Sequence, residues 1–262
     1  MIYELLWLPV ALKDAGLKVA VIDGWESRGR ARMGEVAGVI CHHTAGPREG
    51  NMPSLRLLVE GRPALQGPLA QLGLGRDGTY YVVAAGRCNH AGGGSWMGIT
   101  TGNTSFIGIE AENAGDEHDP WPEVQMDAYW RGVAAILKHI GRGTEACAGH
   151  KEYALPHGRK TDPSFDMNDF RRAVGGVMGG TLQTRPPIPP VEPATNGATP
   201  RPTLRRGATG DLIKTVQTRL GLTPDGFFGP ETEAALRQFQ KAHELVPDGI
   251  VGPKTWVALD KN

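Results

Sequence analysis

The chain has 262 residues, 40% of them hydrophobic and 21% charged, enough for one large packed domain or two smaller ones. Lys and Arg together number 28, as do Asp and Glu, so the formal net charge is zero and there is no electrostatic footprint for a nucleic acid. Three cysteines are too few, and odd in number, for a disulfide framework, which points to reduced thiols made in a cytosol, and no apolar run reaches the roughly 18 residues of a membrane span.

The opening ELLWLPVALKDAG reads as an amphipathic helix closed by Gly16. No basic residue precedes its apolar run and no small-residue cleavage site follows, so it is not read as a secretory signal. LKVAVIDGW and VAGVICHH are rich in β-branched residues and read as strands, as do DGTYYVVAA after an Arg76-Asp77-Gly78 turn and the alternating SFIGIEAEN. From 123 to 140, Met126, Tyr129, Trp130, Val133, Ile136, Leu137 and Ile140 recur at helical spacing, and GRG stops that helix. The mixture predicts an α/β domain, a mixed central β-sheet flanked by helices, over residues 1–180. The proline-dense run TRPPIPPVEPATNGATPRPT cannot bury a core, so 181–203 is read as an extended linker. In 204–262, PDGFFGPETEAAL and PDGIVGPKTWVAL repeat with a shift of 23 residues, each a tight turn leading into a helix with proline near its start. With the preceding GDLIKTVQTRLGL this predicts a small three-helix bundle, read as a binding module because it has one His, no Cys and no acid pair.

A hydrolytic zinc site takes three ligands from His, Asp, Glu or Cys, best placed at rigid strand ends. His42 and His43 end a strand and face opposite ways, so one of them is the candidate; His150 and Asp162 complete a possible His2Asp set. Cys147-x-x-His150 is a rival pair with no second pair to complete it, and Cys41, Cys88 and Cys147 are read as small buried hydrophobes. His43 is expected to be a core or supporting histidine hydrogen-bonded to backbone. In GRKTDP, Lys160 and Asp162 share one side of an extended segment; a surface ion pair is the plain reading of that spacing.

Taken together, ICHHTAG, FIGIEAEN and GHKEYALPHGRKTDP resemble, over about 30–175, the zinc-dependent N-acetylmuramoyl-L-alanine amidases of the type 2 family, relatives of the peptidoglycan recognition proteins. The resemblance implies Zn2+ bound by His42, His150 and Asp162, with Thr44 in the family's Ser/Thr place, Glu110 as catalytic carboxylate and Lys160 as oxyanion donor. Glu112 shares the orientation of Glu110 and is the natural alternative. It also makes His90 of the NHAGGG segment, with Trp96, a candidate for substrate contact; ordinary packing is an equal reading of Trp96. One departure stands out: where members often carry a Tyr-His pair before the RDG turn, this chain has Ala70 and Gln71. The tail resembles a three-helix peptidoglycan-binding domain through Gly207, Gly210, Asp225-Gly226, Gly229, Phe239-Gln240, Asp248-Gly249, Gly252 and Thr255-Trp256. Amidase, linker and wall-binding module without an export signal resemble a phage endolysin, expected as a monomer made in the host cytoplasm and acting on bacterial peptidoglycan, with no membrane insertion. The alternatives are a non-catalytic recognition protein, a host autolysin, or a metallopeptidase, the last without an HExxH helix to support it.

Overall fold

The computed structural model describes residues 3–180, 201–243, 245 and 249–261. The linker expected at 181–203 lies outside them except for its last three residues, as does Asp248 of the second tail repeat. The chain divides into two compact units, Met1–Val191 and Glu192–Asn262.

The first unit is α/β. Its strands are β1 (Lys18–Val21), β2 (Gly38–His43), β3 (Gly61–Arg62), β4 (Leu65–Gln66), β5 (Leu72–Leu74), β6 (Thr79–Val82), β7 (Phe106–Ala111) and β8 (Cys147–Gly149). Six of them form one mixed sheet in the order β1-β6-β5-β7-β2-β8, while β3 and β4 make a separate hairpin. All neighbours are parallel except β5 and β6, which are joined through the Asp77-Gly78 turn. Gly78 has φ +78°, and a Cβ there would meet the Val124 carbonyl at 2.9 Å, so the turn needs glycine.

The helices are α1 (Leu8–Asp14), α2 (Leu55–Glu60), α3 (Gly102–Ser105), α4 (Glu123–His139), α5 (His150–Tyr153) and α6 (Met167–Gly179). The apolar stripe of α4 buries Tyr129, Val133, Ile136 and Leu137 against the sheet, and Leu8 and Leu12 of α1 join the same core. Strand β2 is buried on both faces, which fits its position between β7 and β8.

In the second unit α7 (Asp211–Arg219), α8 (Pro230–Ala242) and α9 (Pro253–Lys261) close over Ile213, Val216, Phe228, Leu236, Val251, Trp256 and Leu259. The repeat seen in the sequence has a repeated hydrogen-bond pattern. Gln217 accepts from the Gly226 amide at 2.9 Å and donates to the Phe227 carbonyl and the Thr232 hydroxyl, both at 3.0 Å. Gln240, 23 positions on, does the same with Gly249, Ile250 and Thr255 at 2.9, 2.9 and 3.3 Å. Each buried amide thus ties a helix to the next turn and leaves no polar group unmatched.

Candidate metal centre and catalytic site

Alternation sorts the side chains of β2 and β7 onto two faces. Val39 and Cys41 meet Ile107 and Ile109 in the core under α4, whereas Ile40 and Phe106 pack on the opposite face. His42 and Glu110 extend this second face at the carboxyl ends of their strands, directly paired in register. His150 follows β8, which pairs with the other edge of β2. The chain then returns to place Asp162, whose carbonyl accepts from the Lys151 amide at 2.7 Å. A crevice beyond the carboxyl ends of parallel strands is where open α/β sheets gather binding groups.

His42 Nδ1, His150 Nδ1 and Asp162 Oδ2 each lie 3.0 Å from the other two. These three contacts cannot all be hydrogen bonds, because a ring nitrogen has one in-plane position, holding either a proton or a lone pair. Two imidazole nitrogens and a carboxylate oxygen converging on one point are a donor set for a hydrolytic zinc ion. Among the described residues this is the group of His, Cys, Asp and Glu that can hold a metal. Burial pushes His42 down to about 4 against the pull of Asp162, which keeps the imidazole neutral, as a ligand must be. Burial alone would raise the Asp162 carboxyl, but its contacts with His150 and His42 outweigh that and hold it ionised, below the usual range.

Glu110 Oε1 is 3.9 Å from His42 Nδ1, and Oε2 is buried without a hydrogen-bond partner among the described residues. Burial, then the nearby Asp162, push this carboxyl well above the usual range. Glu112 differs: it accepts from the Ser54 amide and hydroxyl at 2.9 Å and from the Thr44 hydroxyl at 2.7 Å. Its oxygens are committed to holding the 44–54 loop, which separates it from Glu110. Lys160 is half-buried and its charge bears on both His42 and Glu110. Among the described residues it makes no ion pair with Asp162, whose Oδ2 faces the two histidines.

His90, expected as a substrate contact, sits at the back of the site. It is buried behind His42, with Nδ1 3.1 Å from His42 Nε2 and Nε2 3.2 Å from the Phe106 carbonyl. Both ring nitrogens are engaged, which leaves no polar atom for a sugar or peptide. Gly108 makes room for it: a Cβ there would lie 2.6 Å from His90 Cγ. Trp96 donates to the Glu145 carbonyl at 2.8 Å, just before β8 rather than at the end that carries His150, and packs against the small apolar cluster of Ile40, Ala91, Phe106, Ala148 and Tyr153. The structure therefore brings together His42, His150, Asp162, Glu110 and Lys160, puts His90 behind them, and places Trp96 apart.

His43 turns to the other face, its ring 6.5 Å from Trp121. The backbone bond expected for it is not found at Nδ1, which is buried without a partner among the described residues. Cys147 lies 3.6 Å from Cys41 on the α4 side, away from His150, which removes the Cys147–His150 pair as a metal site. All three cysteines are buried and free. Gln71 accepts from the Gly108 amide at 2.8 Å and donates to the Gly86 carbonyl at 3.2 Å, so positions 70 and 71 serve the core. Tyr129, readable in sequence as an apolar helix position, also clamps the strand ends: its hydroxyl accepts from the His42 amide at 3.0 Å and lies 3.1 Å from the His42 and Ile109 carbonyls.

Residues 32–165 match the family model described as N-acetylmuramoyl-L-alanine amidase, and residues 209–259 match that of a peptidoglycan binding domain. Among solved structures, the chain is similar to a peptidoglycan-binding protein from Clostridioides difficile at 36% identity, over 22% of this chain and 40% of that one, with a TM-score of 0.22. It is similar to the N-acetylmuramoyl-L-alanine amidase LysC from Clostridium intestinale at 14% identity, over 59% and 95%, with a TM-score of 0.45. A mutant endolysin from Bacillus subtilis is similar at 15% identity, over 61% and 99%, with a TM-score of 0.46. No curated protein matches the chain.

Proposed function

The chain belongs to the N-acetylmuramoyl-L-alanine amidase family, and on that premise we propose that it is a zinc enzyme that hydrolyses the amide between the lactyl group of N-acetylmuramic acid and L-alanine in bacterial peptidoglycan. The observation that carries this reading is the convergence of His42, His150 and Asp162 beside a buried, unpartnered Glu110 oxygen. A zinc ion held by the three supplies the Lewis acidity that an amide, inert to water at neutral pH, requires. Glu110 takes a proton from the attacking water and returns it to the departing alanine nitrogen; its raised carboxyl makes it a stronger base than an exposed one. Lys160 donates to the carbonyl oxygen as negative charge develops there. Arrival by diffusion from inside a lysing cell, as for a phage endolysin, suits a chain that joins this unit to a wall-binding one.

Digestion of defined peptidoglycan, with the products identified by mass spectrometry, tests the bond. The reading expects muramic acid with a free lactyl carboxylate and peptides starting at a free L-alanine amine. Cuts within the stem peptide would replace it with a metallopeptidase, and a zinc-loaded protein without products would replace it with a recognition protein.

Two further results are expected. Lys160→Ala keeps its metal while turnover falls about 100- to 1000-fold, roughly 3 to 4 kcal/mol, as for the loss of one oxyanion donor. Loss of metal in that variant would assign Lys160 to the fold instead. A chain ending at Gly180 keeps the metal centre and cleaves soluble muropeptides, but sediments poorly with intact walls because the tail no longer raises its local concentration. Equal sedimentation of the short and full chains would remove the tail from wall binding.

A further inference from the structure

Both proposed ligand histidines use Nδ1 toward the metal, so both must carry their proton on Nε2. Each Nε2 meets the same two-residue segment. His150 Nε2 lies 2.9 Å from the Ala91 carbonyl, and His42 Nε2 lies 3.1 Å from His90 Nδ1. A carbonyl only accepts, so His150 Nε2 carries a proton, and with a metal between Nδ1 and Asp162 the neutral ring presents its Nδ1 lone pair to that metal. His90 Nε2 faces the Phe106 carbonyl at 3.2 Å, so it too donates, and the His90 Nδ1 of the neutral ring is an acceptor. His42 Nε2 must then donate to it, which again leaves Nδ1 as a lone pair. The segment is itself pinned: Asn103 Oδ1 accepts from the His90 amide at 2.9 Å and from the Ala91 amide at 2.7 Å. Gly108 leaves the space the His90 ring occupies.

We propose that His90 and Ala91, clamped by Asn103, form one outer element that fixes the tautomer and orientation of both ligand histidines. His90 is thus a positioning residue, acting through His42 rather than on substrate. The inference rests on the zinc-site reading above. It explains why a histidine lies buried next to two others, and why one asparagine oxygen serves two successive amides. Partners of this kind on ligand histidines typically change metal affinity by about 10- to 100-fold when removed.

The test uses the full chain with 15N-labelled histidine. Long-range 1H–15N spectra of the zinc-loaded wild type should show His42, His90 and His150 protonated at Nε2. Zinc affinity, measured by competition with a chromophoric chelator, should fall about 10- to 100-fold in His90→Leu. His90→Asn, whose side-chain oxygen can accept from His42 Nε2, should recover most of that loss. Asn103→Ala should also weaken zinc, although Asn103 touches neither ligand ring. Protonation at Nδ1 of His42 or His150 in the zinc-loaded wild type overturns the proposal. So does wild-type zinc affinity in a folded His90→Leu, or equal losses in His90→Leu and His90→Asn, which would mark simple packing. If His90→Leu does not fold, the wild-type spectrum and the Asn variant decide. A wild type that binds no zinc would defeat the enzyme reading, while the zinc-free spectrum would still test whether His90 holds its proton on Nε2, toward the Phe106 carbonyl.

Discussion

His42→Ala and His150→Ala are expected to purify without zinc and to release no peptide from cell walls. Each removes one of three donors that meet 3.0 Å apart, and two donors do not make a closed set for a tetrahedral ion. His43→Ala is the matched control. It lies one residue away on the opposite face, against Trp121, and should keep both zinc and lysis. Metal analysis and wall-turbidity assays on the same preparations settle the point, and full occupancy in the first two variants would sink the ligand assignment.

Glu110→Gln is expected to keep its zinc and lose turnover by about 100- to 10,000-fold, the range of general acid–base catalysis. The substitution preserves shape and removes only the ability to take a proton. The neighbouring positions among the described residues are committed elsewhere: Ala70 and Gln71 are core residues, and the Glu112 oxygens are held by Ser54 and Thr44. Glu112→Gln should therefore act mainly on stability, because the buried charge that the Ser54 and Thr44 hydroxyls and Arg76 face would be lost. Single-turnover rates on soluble muropeptide separate the two. Near wild-type turnover in Glu110→Gln would move the search for a base to Glu112 and His43.

The sheet and the long helix were legible where periodicity is long. β2, β7 and α4 announce themselves through β-branched runs, alternation and a 3.6-residue stripe, and each appears in the structure. β5 and β8 did not: LGL and CAG are three residues each, too short to show any period, and only pairing with longer neighbours defines them. α6, with glycines in MNDFRRAVGGVMG, lacks the composition of a confident helix and forms by packing on α4. The site was readable as residue types, since a strand-end histidine and a distant His and Asp suit zinc, but spacing could not tell that they meet. Family resemblance supplied that step. It made His90 a candidate for substrate contact, because a histidine in a glycine-rich segment looks open to a cleft, and nothing in the local sequence reports that the ring turns inward under Gly108. Asn103 had no signal at all, its role being the geometry of one oxygen.

The three donors are far apart along the chain: 108 residues separate His42 from His150, and 12 more lead to Asp162. No local piece of chain can assemble them; they meet only once β2 has settled between β7 and β8. Such distant pairing forms late when a chain folds, after the entropy of closing a long loop has been overcome. The disordered chain therefore has no equivalent site, and an ion that binds only the finished topology adds to its stability by mass action, about 2.7 kcal/mol at a hundredfold excess over the dissociation constant. The metal proposed for chemistry is in this sense also the last clasp of folding, and a cell short of zinc would hold a chain that is less durable as well as less active.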